Sequence, residues 1–161
     1  MTYIDGAERI REEIHKILSN MSYKRKDNTT YCNMATFDIL ERFGLQRNFW
    51  DKEEKRIMLA NEMCEVLDKT YIHIGCDCDK FPELINSNFL MIASWKNDNG
   101  HGHIAPIYPS RTRVFSNKWK KNVPLVGNVG YENGVMGLNW AFPEEPKIYI
   151  IGEIDRWDID E

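Results

Sequence analysis

Apolar residues recur at helical spacing in the first third of the chain. Ala7, Ile10, Ile14, Ile17 and Leu18 fall on one stripe, which predicts a helix from about Asp5 to Ser19. A polar stretch, SYKRKDNTT, then interrupts the pattern. A second stripe places Cys32, Ala35, Ile39, Leu40 and Phe43 inward, with Gly44 as the C-terminal stop and Asn28, Thr29 and Thr30 as candidate N-caps. A third helix is expected from about Asp51 to Asp68, with Ile57, Ala60, Cys64 and Leu67 on one face. Near residue 70 the pattern changes to short apolar runs punctuated by Gly, Asn and Pro. Asn88 to Trp95, His103 to Tyr108, Val123 to Val129 and Lys147 to Ile154 read as strands, and Ile72 to Asn86 as loop. Helices first and closely spaced strands second predict an α+β fold, N-terminal helices packed on an antiparallel sheet.

Composition narrows the function classes. A chain of 161 residues fits a single domain spanning residues 1–161. Its 21 basic and 25 acidic residues give a net charge of −4, the wrong sign for a dedicated nucleic-acid binder. No apolar run approaches a membrane span, and MTYIDGAERIREEI is too polar for a signal peptide. Synthesis in the cytoplasm is expected, with delivery to a cell wall, if any, by phage or secretion machinery. The four cysteines, Cys32, Cys64, Cys76 and Cys78, fit free thiols or a metal or catalytic site better than a disulfide frame.

Three positions stand out chemically. Cys32 opens the second helix, where unpaired N–H groups and the helix dipole stabilise a thiolate; a buried core cysteine is the plainer reading. His103 leaves a glycine turn at the start of a strand, where an imidazole can face a helix N-terminus and take a proton; His101 competes for that role. Asn128, in VGNVG, is placed to orient an imidazole on the neighbouring strand, or simply to form a turn.

The segments TYCNMATFDIL, NFLMIASWKNDNGHGHIAPIYPS and PLVGNVGYENGVMGLNWAF together resemble the NlpC-type and CHAP-type papain-like cysteine hydrolases of bacteria and phages, over roughly Asn28 to Ile151. The resemblance implies a papain-like fold that hydrolyses an amide or peptide bond without a cofactor. Its substrate would be peptidoglycan, cut as an endopeptidase or as an N-acetylmuramoyl-L-alanine amidase. It casts Cys32 as nucleophile, His103 as base and Asn128 as the orienting residue. The Cys32 N–H would form part of an oxyanion hole, joined by a side chain of the preceding loop such as Asn28 or Tyr31, and Trp95 would meet the substrate. Departures are Tyr31-Cys32-Asn33 in place of Asp-Cys-Ser, an amide at Asn128 where many relatives carry histidine, and Pro106, which should push its strand to an edge or a bulge.

Two other readings compete. Cys76 and Cys78, with His101, His103 and His73, supply zinc-type ligands at spacings unlike a standard finger or ribbon. Trp95, Trp119, Trp140, Trp157, Tyr108 and Tyr131 could line the groove of a noncatalytic wall- or peptide-binding module, with NKWKKN facing an anionic polymer. The hydrolase reading ranks the thiols. It expects Cys32 at hydrogen-bond reach of His103 with a depressed pKa, Cys64 buried and inert, and Cys76 and Cys78 exposed but poorly ionised beside Asp77 and Asp79.

Overall fold

A computed structural model describes residues 3–75, 81–84, 86–155 and 157–158. The first stripe forms helix α1, Gly6–Leu18, with the Asp5 carboxylate accepting the Glu8 N–H at 2.8 Å as its N-cap. Helix α2, Cys32–Arg42, ends as expected. Gly44 sits at φ +70°, and the Gly44 and Leu45 N–H groups return to the Glu41 and Leu40 carbonyls. Its N-cap is Tyr31, which makes no side-chain capping bond, so none of Asn28, Thr29 and Thr30 fills that role.

Helix α3, Ala60–Thr70, starts nine residues later than the periodicity implies, because Asp51 diverts the backbone. The Asp51 carboxylate accepts the N–H groups of Glu53 and Glu54, both at 3.1 Å, and Lys55 turns left-handed at φ +55°. These local bonds compete with helix and produce a hairpin pairing Trp50–Asp51 with Arg56–Ile57. The helix begins where the Glu62 carboxylate caps the Leu59 N–H at 2.8 Å.

Six strands form one antiparallel sheet. Its spatial order is Gly134–Gly137, Leu125–Asn128, His103–Tyr108, Phe89–Trp95, Lys147–Glu153 and Ile72–Ile74. Ile72–Ile74, read as loop from sequence, is the edge strand beside Lys147–Glu153. The single strand expected over Val123 to Val129 is divided at Pro124: Lys121–Val123 pairs with Val114–Ser116 in a separate hairpin, and Leu125–Asn128 joins the main sheet. Pro106 lies within a central strand, not at an edge. That strand pairs over His103 to Pro106 with Phe89–Trp95, and over Ile107 and Tyr108 alone with Leu125–Asn128, so pairing on the latter side begins after the proline.

Alternation of side chains divides the sheet into two cores. Ile92, Ile104 and Val129 face α1, α2 and α3, packing with Ile10, Ile14, Ile39 and Leu40. Met91, Ala93, Ala105, Ile107 and Val126 face the other way, onto Phe81, Leu138 and Phe142. Both faces are therefore covered, which explains why the central strands read as continuous apolar runs. Among the described residues no helix is long and apolar enough to cross a membrane.

α1 packs tightly on the sheet at Gly127, where a side chain would collide with the branched methyl of Ile14. Gly127→Val should lower unfolding stability by about 1–3 kcal/mol, read from the midpoint of urea denaturation. An unchanged midpoint would show that α1 does not rest on the sheet there.

Candidate functional site

The sheet face opposite the three helices opens at one end into a cleft of about 420 Å³. His103 and Asn128 lie on adjoining strands at its floor, and Trp95, Tyr131 and Trp140 are among its walls. His103 Nε2 lies 2.6 Å from Asn128 Oδ1. The amide is itself pinned, because Asn128 Nδ2 donates to the Glu132 carbonyl at 2.8 Å. An amide held by its nitrogen presents only its oxygen to the ring, so Nε2 carries the hydrogen and Nδ1 keeps a free lone pair. The ring packs on Phe142 with centroids 4.7 Å apart. Burial lowers the His103 pKa, partly offset by the bond to Asn128, and so favours a neutral imidazole.

Neighbouring segments hold this pair in place. A side chain at Gly130 would press on the His103 Cε1 and the Asn128 Nδ2, at 3.4 and 3.3 Å, so the absence of one lets the loop close over both. The Gly130 N–H donates to Asn133 Oδ1 at 2.9 Å, and Asn133 Nδ2 donates to the Tyr23 carbonyl at 2.9 Å. On the other side, Asn61 of α3 clamps the turn that precedes His103. Its amide nitrogen donates to the Asn97 and Gly100 carbonyls, both at 2.9 Å, and its oxygen accepts the Asn97 N–H at 3.0 Å. Asn61, Glu132 and Asn133 escaped the sequence reading, since single polar residues outside any periodic pattern carry no signal of what they touch.

Cys32 is placed differently from the expectation. It is 6% exposed, belongs to the helix-side core and borders a crevice of only about 10 Å³ with Ile104, Gly127 and Val129. Burial pushes its pKa up to about 11, against the opposing effect of the Ile104 and Asn33 N–H groups that donate to sulfur. Among the described residues no hydrogen bond joins its thiol to His103. The thiol meets the strand one residue from His103, at the Ile104 amide, on the helix side of the sheet. The depressed pKa expected at a helix N-terminus is therefore corrected: desolvation outweighs the terminal N–H groups. Cys64 is buried as expected, and burial pushes it to about 11 as well, with Ser94 hydrogen-bonded to it.

The remaining candidates separate. Asn28 and Trp95 line the cleft, whereas Tyr31 packs beside the helix-side core. His101 borders the cleft mouth, and His103, not His101, engages Asn128. Of the six aromatics weighed for a groove, Trp95, Tyr131 and Trp140 line it, while Trp119 and Tyr108 pack against the two cores. The Trp157 side chain, Cys76 and Cys78 lie outside the described residues. Among the described residues no group of three or more metal-ligating side chains converges.

No protein-family model matches the chain, and no curated protein matches it in sequence.

The shifted imidazole has a thermodynamic signature. The His103 pKa is lowered from 6.5 in the folded chain, so below about pH 6.5 the unfolded chain binds a proton that the folded chain refuses. Stability should fall as pH drops from 7 to 5, and His103→Gln should flatten that slope, read from melting temperatures across the range. Equal slopes in both chains would place the ring in solvent.

Proposed function

We propose that the protein is a cysteine hydrolase cleaving an amide or peptide bond, with peptidoglycan as the favoured substrate. The observation that carries this reading is the oriented, neutral His103 at the floor of a cleft, its Nδ1 free and Asn128 fixing its other nitrogen at 2.6 Å. Cys32 is the nucleophile by its place at the helix N-terminus, bonded to the peptide that follows His103.

In this mechanism the thiol is not ionised in advance. The mechanism requires the Cys32 thiol, which rests at the Ile104 amide, to come within reach of Nδ1 when substrate binds. His103 takes the S–H proton as sulfur attacks the carbonyl carbon. The tetrahedral oxyanion forms beside the N–H groups of the first turn of α2. Collapse breaks the C–N bond, the imidazolium protonates the departing amine, and a thioester remains. Water then loses a proton to His103, attacks the thioester and releases the acid and the thiol. Asn128 keeps the ring in its working tautomer throughout.

A second reading is a noncatalytic binding cleft. The burial of Cys32, together with the exposed Tyr131 and Trp140, favours it.

Incubation with purified sacculi under reducing conditions, with mass spectrometry of released fragments, separates the two. The hydrolase reading expects fragments from the native chain, none from Cys32→Ala, and a loss of about 10²–10⁴-fold in rate for His103→Ala, with a smaller loss for Asn128→Ala. Sacculi bound without any release between pH 5 and 9 would support the binding cleft and end the wall-hydrolase reading.

Alkylation provides an independent check. Thiols at about 11 are almost wholly protonated at pH 7, so iodoacetamide should leave Cys32 and Cys64 unmodified until the chain unfolds. A peptide aldehyde or vinyl sulfone that fills the cleft should modify Cys32 in the folded chain, and His103→Ala should suppress that reaction. Failure of every cleft-directed electrophile to reach Cys32 would remove it as the nucleophile.

A further inference from the structure

Trp140 is 73% exposed and Tyr131 69%, large apolar surfaces for a folded chain to leave in water. Both line the cleft, as does Glu132. The Trp140 indole N–H donates to the Glu132 carboxylate at 3.3 Å, which fixes the ring beside the charge. The Glu132 carbonyl accepts from Asn128 Nδ2, so the same residue is bonded directly to the one that orients His103. Among the described residues Glu132 is the only carboxylate in the lining, which includes no lysine or arginine. Arg25 lies 4.8 Å over the Tyr131 ring.

A carboxylate with unused lone pairs beside an exposed indole face is complementary to a cation and repels an anion. We propose that Glu132 and Trp140 form a subsite for a protonated amine of the substrate. The assignment rests on the hydrolase reading and deepens it by naming the charge the substrate carries near the cleaved bond. Both an N-terminal ammonium and a lysine-type side-chain ammonium have this chemistry. The Glu132 backbone carbonyl bonded to Asn128 places its residue and the base in one cleft.

Titration calorimetry with the full-length chain carrying Cys32→Ala tests the subsite without turnover. Three probes suffice: alanyl-alanine amide, Nα-acetyl-lysine amide and the neutral Nα-acetyl-alanine amide. At least one ammonium probe should bind about tenfold tighter than the neutral one, and which one does identifies the source of the amine. Glu132→Gln should bring the preference within about twofold, and Trp140→Leu should weaken the ammonium probe most. If either variant melts differently from its parent, raising salt from 50 to 500 mM with the parent decides instead, because the ammonium preference must shrink under screening. Equal binding of charged and neutral probes, or a preference that survives Glu132→Gln, overturns the subsite. Fragment release by the native chain without an ammonium preference would sink the subsite alone. Ammonium binding without any hydrolysis would sink the hydrolase reading and leave the cation site standing.

Discussion

The hydrogen bond from His103 to Asn128 governs how the rest of the site is built. An imidazole in a partly enclosed cleft is useful only if its tautomer and tilt are fixed, and a single 2.6 Å bond fixes both, provided the amide cannot turn over. The Glu132 carbonyl prevents that turn at 2.8 Å. The arrangement spans two neighbouring strands, so it depends on the register that sets Ile107 opposite Val126 and Tyr108 opposite Leu125. A slip of one residue would move either side chain to the other face and dissolve the pair.

The same alternation that brings His103 to Asn128 carries Ile104 to the helix side, and there it meets Cys32. The sheet therefore stands between two chemistries of opposite preference. On the helix side, packing is dry and a thiol stays protonated. On the cleft side, polar groups bond in series from Asn133 and Gly130 around Asn128 to Glu132 and Trp140. Catalysis by Cys32 requires the thiol to pass from the first environment into the second. Under the proposed reaction, a thiol pushed to about 11 and a neutral imidazole would exchange a proton only as the sulfur attacks substrate.

Much of the fold was legible because periodicity reports burial. The α1 stripe, the Gly44 stop and the His103–Tyr108 strand matched what their spacing implies. The misreadings share a cause in short-range side-chain chemistry. Asp51 folds its own backbone into a hairpin before α3 can begin, and Pro124 divides an apolar run that looks continuous. The site was legible in part. His103 and Asn128 were each identifiable from a polar residue beside glycine at a strand end. Their supports Asn61, Asn133 and Glu132 were not, since each acts through an amide or carbonyl contact made only in three dimensions. Cys32 marks the limit most clearly. Its helix-start position and its apolar stripe point in opposite directions, and in the folded chain the stripe prevails.

The state of the His103 ring is open to direct observation by nitrogen–proton correlation NMR of the imidazole across pH 5 to 8. The account predicts a neutral ring at pH 7, protonated on Nε2 and bare on Nδ1, that takes up its second proton only below about pH 6.5. A ring protonated on Nδ1, or an imidazolium at neutral pH, would contradict it, because no lone pair would then be available to accept a proton from the thiol.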